Sequence, residues 1–380
     1  MSKKSKILIA PNSFKECSDS VTIAKLIRDS LTVLKNAELI SKPISDGGDG
    51  FLNVCRYYFG GEMRKYFIST TYDESIFKCP VLYIESRKEI YIESAEVLGL
   101  RVVPVSYRNP LKLSSKGLGE LLLKLEDDVQ KGKIEVEMVY IGIGGTATID
   151  MGIGMMAELG LKLLNSDGKE LNVIPGNFQL AKRIEYKPVK SSFKIVPLVD
   201  VTNSLLGEEG GIQVFGRQKG ASEDTISILE KDFNHLLNLF EYNGLVVSSD
   251  KLSGAGGGIP AAFQIFYKTY SIHSSIFIMH HLGIEKYLDS VDYLITGEGA
   301  YDHQSNSGKG AGVLIETFSS SVKTIFLVCG KISKDSISCL PKNVIPIRLN
   351  RYFENQSSSI ANYQEGLKKA CSRIFKELNF

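Results

Sequence analysis

Ile44-Ser45-Asp46-Gly47-Gly48-Asp49-Gly50-Phe51 sets three glycines and two carboxylates side by side. Taken alone it is a turn, because Gly and Asp supply the backbone freedom and local hydrogen bonds that turns need. What it joins decides the fold. Leu39 to Ile44 in front of it is a short apolar run suited to a strand. Behind it, Phe51, Leu52, Cys55 and Tyr58 recur at helical spacing. The same arrangement comes earlier. Lys6 to Ala10 is a short buried strand, Pro11-Asn12-Ser13 a turn, and Ser13-Phe14-Lys15-Glu16 fits a capping box. Ala24, Ile27, Leu31 and Leu34 then follow at helical spacing. Strand, loop and helix, twice over, open a parallel sheet with helices on its faces, so the fold class is α/β.

Beyond this start the texture changes. Tyr66 to Ile68, Val81 to Ile84 and Glu89 to Ile92 alternate like strands of hairpins rather than crossovers. Leu118 to Val129 is helical. Val136 to Ile143 is a strong strand running into Gly144-Gly145-Thr146-Ala147-Thr148, with a Met-rich helix after it. Lys194 to Val201, Asp292 to Thr296 and Thr324 to Cys329 are further strands. Both ends of the chain are α/β in texture. This predicts a Rossmann-like parallel-sheet domain from residues 1–65 and 285–380, with a second α/β domain, 66–284, inserted.

The bulk numbers bound the function. At roughly 100–200 residues per domain, 380 residues suit two domains. Hydrophobic residues make up 43% and charged residues 23% of the chain, enough for a sizeable core. Forty-five Lys+Arg against 43 Asp+Glu leave a formal charge of +2, which gives no electrostatic case for nucleic acid or an anionic membrane. The apolar run after Lys3, Lys4 and Lys6 is shorter than the roughly 7–15 residues of a secretory signal. No stretch approaches the roughly 20 apolar residues of a membrane span. A cytoplasmic protein is expected. Its six cysteines form no C-x-x-C pair, so reduced thiols are expected, and adjacent His280 and His281 point to different sides of a helix, against a shared metal.

Chemistry concentrates in glycine-rich stretches, most of them at strand ends, where α/β sheets bind ligands. Asp46 and Asp49 could hold Mg²⁺, which takes one or two carboxylates with phosphate and water. Gly144-Gly145-Thr146-Ala147-Thr148 offers N–H groups and hydroxyls to an anion, or is a strand-to-helix turn capped by Thr148 or Asp150. Gly254-Ala255-Gly256-Gly257-Gly258 could be a flexible linker. Gly297-Glu298-Gly299-Ala300-Tyr301-Asp302 is read as the fourth loop, with Gly308-Lys309-Gly310 after it. Lys15, past the first strand, could neutralise a carboxylate or phosphate. Asp200, in Asp200-Val-Thr-Asn203, could be a base, a metal ligand or a helix cap. Arg217 and Lys219 are two cations among glycines, or a solvated turn.

Standard motifs are absent. No P-loop exists, because His303 stands five residues before Gly308 and Gly310 follows Lys309. Gly152-x-Gly154-x-x-Ala157 imitates a dinucleotide fingerprint but does not directly follow a strand, so it reads as helix packing. No Gly-x-Ser-x-Gly elbow supports a serine hydrolase.

Taken together, these stretches resemble the bacterial glycerate kinases of the glycerate 2-kinase type, a family unlike the P-loop kinases. The matching segments are Ala10-Pro-Asn-Ser-Phe-Lys-Glu16, Asp46-Gly-Gly-Asp-Gly50, Arg108-Asn-Pro-Leu111 with Gly117-Leu-Gly-Glu-Leu121, and Gly142-Ile-Gly-Gly-Thr-Ala-Thr-Ile-Asp150. Asp200-Val-Thr-Asn203, Val214-Phe-Gly-Arg-Gln-Lys-Gly-Ala221, Gly254-Ala-Gly-Gly-Gly258 and Ile295-Thr-Gly-Glu-Gly299 follow in order, the last with Asp302, Gln304, Gly308 and Lys309. Any one is weak; their order along the chain is specific.

The resemblance implies a two-domain glycerate-kinase fold with its site in the cleft between domains. It implies ATP and Mg²⁺ as cofactors and D-glycerate as the small-molecule substrate, phosphorylated to 2-phosphoglycerate. On that basis Gly144, Gly145, Thr146 and Thr148, with Gly297, Glu298, Gly299, Asp302 and Lys309, are expected at the nucleotide, where Lys309 or Lys219 adds charge. Asp46 and Asp49 are expected at the metal. Ser13, Lys15 and Asn203 are expected at the substrate, with Lys15 and Asp200 catalytic. Some positions depart from the family's usual residues: Asp49 for Glu, Phe51 for Thr, Arg217 for Pro, Ala300 for Arg and Ala311 for Pro. The Phe51 and Ala300 departures keep open a kinase for a related hydroxy acid, and a catalytically silent ligand sensor is the reading from another class.

Overall fold

The structure, a computed structural model, describes residues 4–247, 252–306 and 309–378. Gly308 of the Gly-Lys-Gly motif and Lys3 of the basic start lie outside the described residues. The chain divides into two compact units. One is Met1–Tyr58 with His273–Phe380, and the other is Phe59–Ile272.

The first unit is built on a parallel sheet. Its strands are β1 (Ser5–Ile9), β2 (Ala37–Ser41), β11 (Tyr293–Tyr301), β12 (Thr324–Ile332) and β13 (Val344–Arg348), in the order β13-β12-β11-β1-β2. Ile7, Leu8 and Ile9 are all fully buried, as expected of a central parallel strand covered on both faces. Ile7 and Ile9 pack with Ile295 and Phe326 under the helices Ser20–Ser30 and Tyr363–Leu378. From β1 the chain winds to β2 on one side, while β11, β12 and β13 wind away on the other. The winding therefore reverses between β1 and β11, and the crevice outside the carboxyl ends of these two strands is where such a sheet binds ligands.

Two local readings are corrected here. Ser13–Glu16 is not a capping box. Phe14 N–H donates to Ser18 O in a tight bridge, and Glu16 takes φ +67°. The helix starts later, at Ser20, where Asp19 accepts from the N–H groups of Val21 and Thr22. Nor is Gly297-Glu298-Gly299 a loop. β11 runs through it to Tyr301, in register with Val328, Cys329 and Lys331 of β12. Glycine is required at 297 because a Cβ there would lie 1.6 Å from the Val328 carbonyl oxygen.

The second unit carries a mixed sheet. Its strands are β3 (Glu62–Ser69), β4 (Ile76–Ile84), β5 (Glu89–Glu93), β6 (Met138–Ile143), β9 (Lys194–Val199) and β10 (Ile272–His273), ordered β10-β9-β6-β5-β4-β3. β3, β4 and β5 form the expected antiparallel hairpins, whereas β5, β6 and β9 pair in parallel. A separate hairpin joins β7 (Leu161–Leu164) to β8 (Arg183–Tyr186). A continuous core runs from Val139 and Ile141 of β6 to Leu121 and Leu125 of the helix Lys116–Gln130 and Phe233 and Leu236 of Glu223–Tyr242. Gly152-x-Gly154 is helix packing, as read: a Cβ on Gly154 would meet Ser114 Oγ at 2.1 Å.

Candidate active site

At the reversal between β1 and β11, the first unit encloses a cavity of about 300 Å³. Ser13 and Lys15 come from the segment after β1, and Asp46 from the loop after β2. Glu298 and Gly299 come from β11, Asp302 and Lys309 from the segment after it. The sheet thus brings together residues hundreds of positions apart in sequence.

Asp46 is anchored from two sides. Asn12 Nδ2 donates to its Oδ2 at 3.0 Å, and the Gly48 N–H donates to Oδ1 at 3.3 Å. The glycines of the quoted stretch therefore let the chain fold back onto its own carboxylate and then enter the helix Phe51–Phe59. Burial pushes the Asp46 carboxyl up. The charges of Lys309 and Lys15, with the Asn12 and Gly48 donors, outweigh burial and hold it below its ordinary value. Glu298 goes the other way. Burial pushes it up to about 8; nearby Asp46 and Asp302 add to this, against Ser305 and Lys309. Its Oε1 is buried without a hydrogen-bond partner. An anionic carboxylate, an elevated one and two lysines in one cavity form a mixed-charge site suited to an anion that arrives with a cation.

The second unit presents the Gly144–Thr148 loop at the carboxyl end of β6. Ser94, just past β5, accepts from the Gly144 N–H and donates to the Gly144 carbonyl, both at 3.1 Å. Ala147 N–H donates to Leu98 O, and Gly145 O accepts from Leu100 N–H. Gly145 is exposed at φ +63°, and among the described residues no hydrogen bond uses the Gly145 or Thr146 N–H. Lys219 supports the loop from inside: its Nζ donates to Thr146 Oγ1 at 2.9 Å and to Thr148 O at 3.0 Å. Burial lowers Lys219 to about 7, against the opposing pull of Asp150. Asp150 accepts from Ser115 N–H and Oγ, both at 2.7 Å, and from the Gly152 and Gly154 N–H groups. The N-cap of the helix Ile153–Glu158 is therefore Gly152 rather than Thr148 or Asp150; the Asp150 carboxylate accepts from the Gly154 N–H in its first turn and ties it to Ser115 at the start of Lys116–Gln130.

The glycine run 254–258 is packed structure rather than a linker. A Cβ on Gly257 would lie 2.0 Å from Thr148 O, and one on Gly254 2.3 Å from Ser204 O. Of the two cations in the 215–221 segment, Arg217 is exposed and paired with Glu223 at 2.7 Å, whereas Lys219 is buried.

Ser13, Lys15, Asp46, Glu298, Gly299, Asp302 and Lys309 therefore share one cavity. Asp49 is half-buried in the same loop as Asp46 but does not line that cavity. Gly144, Gly145, Thr146 and Thr148 gather with Lys219 in the second unit. Asp200 and Asn203 follow β9 there, and Asn203 Nδ2 donates to Glu209 O at 2.7 Å. Sequence reasoning gave no role to Asn12 or Ser94, although each follows a strand end. Phe51 is fully buried and packs on the Phe277 ring at 5.4 Å, so that departure is a core substitution, whereas Ala300 lines the cavity. All six cysteines are free thiols. Among the described residues no three metal-ligating side chains cluster, and no helix is long and apolar enough to cross a membrane.

Comparison with known proteins gives a consistent result. A model described as the glycerate kinase family matches residues 7–379. The chain is 32% identical over 310 residues to a glycerate 2-kinase of Escherichia coli K12, covering 80% of this chain and 79% of that one. It is 30% identical over 336 residues to a glycerate kinase of Bacillus subtilis 168, covering 87% and 86%. A crystal structure of a Salmonella typhimurium LT2 protein aligns over 99% of this chain and 100% of its own, at TM-score 0.74 and 24% identity, which establishes a shared fold.

Proposed function

Because this chain belongs to the glycerate kinase family, we propose that it transfers the γ-phosphoryl group of ATP to D-glycerate, at the 2-hydroxyl. Membership makes it a kinase of this family; the hydroxyl, the metal and the residue roles are our reading. The observation that carries the reading is the first unit's cavity, where Lys15 and Lys309 face Asp46 at the winding reversal of a parallel sheet. Phosphoryl transfer asks a protein mainly to position the reactants and to neutralise charge. Lys15 and Lys309 supply that charge to the transferring phosphoryl group and the glycerate carboxylate.

The cavity's acids fit Mg²⁺. They are hard oxygen donors, Glu298 Oε1 is buried without a partner, and Mg²⁺ needs only one or two carboxylates beside phosphate oxygens and water. Asp46 and Glu298 would hold it, with Glu298 taking the place expected of Asp49. When bound, the ion neutralises phosphate charge. Asn12 keeps Asp46 in position, and Ser13 and Asp302 complete the cavity's polar wall. In the second unit, the open Gly145 amide and the braced Gly144–Thr148 loop are assigned to the nucleotide's phosphates. Asp200 is assigned to orient the proton of the attacking hydroxyl.

The reading is tested by ATP consumption with purified protein, Mg²⁺ and a panel of acceptors. D-glycerate should give the highest kcat/KM. A second reading, a kinase for a related, longer hydroxy acid, is favoured by Ala300, whose small side chain on the cavity wall leaves room there. Preference for an aldonate over D-glycerate would replace the first reading by the second.

A further inference from the structure

Lys219 is a lysine sealed inside the second unit, 4% exposed, under the loop just assigned to the nucleotide's phosphates. It makes two hydrogen bonds, to Thr146 Oγ1 and Thr148 O. Two acceptors match the two N–H groups of a neutral amine. An ammonium has a third N–H, which would be buried unpaired at substantial cost. The nearby carboxylate does not pair with it: Asp150 is engaged by the Ser115 and glycine donors, and among the described residues no Lys219–Asp150 ion pair exists. Among the described residues Asp150 is the one charged group that bears on the amine, since Arg217, two residues away, lies exposed against Glu223. Thr148 Oγ1 is buried without a partner, on the residue whose carbonyl Lys219 already holds.

We propose that Lys219 is a ligand-coupled cation, neutral in the free protein and protonated when a phosphate anion sits on the Gly144–Thr148 loop. Through Thr146 the amine is one hydrogen bond from the loop, where an anion stabilises the charged form by Coulomb attraction at low effective dielectric. Because the Thr146 oxygen accepts from Lys219, the Thr146 hydroxyl proton is turned away from the amine and is free to donate to the ligand. The lowered basicity that burial gives Lys219 fits a group poised for this change. Binding then takes up a proton from solvent, and each pKa unit by which the anion raises the amine is tenfold in affinity at pH below the free amine's value, a gain lost as pH rises through the raised one. The inference rests on the assignment of this loop to nucleotide phosphates.

The test is titration calorimetry of the whole protein with Mg·ATP at pH 8, without acceptor, in two buffers of different ionisation enthalpy. The wild type should take up more than half a proton per ATP bound. Lys219→Met should lose that uptake and bind Mg·ATP at least tenfold more weakly. Binding without uptake in the wild type, or equal uptake in the variant, overturns the inference while leaving the loop assignment standing. Mg·ATP affinity unchanged in Lys219→Met likewise overturns the inference alone; no Mg·ATP binding by the folded wild type overturns the loop assignment and the inference with it. If Lys219→Met does not fold, lysine Nζ NMR on the wild type decides. One amine should be neutral at pH 8 and become charged as Mg·ATP is added; an Nζ charged throughout refutes the inference.

Discussion

At the scale of single residues, the molecule separates groups that its sequence could not. Arg217 and Lys219 lie two positions apart between glycines, yet one is a solvated ion pair and the other a sealed amine. Which cation turns inward depends on the backbone path that follows, so spacing alone could not tell them apart. The buried state has a consequence for stability. Lys219 falls from 10.5 to about 7 on folding, so between these values the unfolded chain holds a proton that the folded protein releases. Stability should therefore rise with pH across that window, and the full penalty of charging the amine should apply below it. The urea midpoint should increase from pH 7 to pH 9 in the wild type and increase less in Lys219→Met; parallel profiles would show that the amine does not titrate there. Asp200 is tested by turnover. Asp200→Asn should lower kcat by about 100-fold or more, the usual range for losing a positioned base, with the urea midpoint unchanged. Near-normal turnover would remove Asp200 from the mechanism.

At the scale of elements, the glycine stretches are alike in sequence and unlike in structure. The one at Asp46 is a loop folded onto its own carboxylate, and the one at Gly144 is a strand-end loop braced by Ser94 and Lys219. The run at Gly254 is backbone packed on backbone. Gly297-Glu298-Gly299 is strand. The sequence carried the strands themselves, since apolar runs rich in β-branched residues, such as Ile7–Ile9 and Val139–Ile143, leave little choice. It could not show that β11 continues through its glycines, because the reason lies in the close approach of Val328 on a neighbouring strand. The helix start at Ser20 was hidden similarly: Ser13 and Glu16 have capping-box spacing, but the Phe14–Ser18 bridge uses that segment as a tight turn. Substitution distinguishes the two kinds of glycine. Gly297→Ala forces a Cβ to within 1.6 Å of a carbonyl oxygen in the sheet and should cost more than about 4 kcal/mol or abolish folding. Gly48→Ala meets only Asp46 Oδ1, at 3.3 Å, and should cost less than about 1 kcal/mol. Equal losses in thermal unfolding would contradict this reading of β11.

At the scale of the whole molecule, the α/β class and the joining of both chain ends in one parallel sheet were legible from the strand pattern at the two termini. The grouping of Lys15, Asp46, Glu298 and Lys309 was implied by the family resemblance but not by local pattern, because it depends on β11 lying beside β1, a pairing of strands some 286 positions apart. The central claim is that this constellation serves phosphoryl transfer to the 2-hydroxyl of D-glycerate. The most direct measurement is phosphorus NMR of the product formed by the purified protein from ATP, Mg²⁺ and D-glycerate. The account predicts a single new ester resonance belonging to 2-phosphoglycerate, its intensity growing as ATP is consumed. Formation of 3-phosphoglycerate, or ATP loss with release of inorganic phosphate alone, would contradict it.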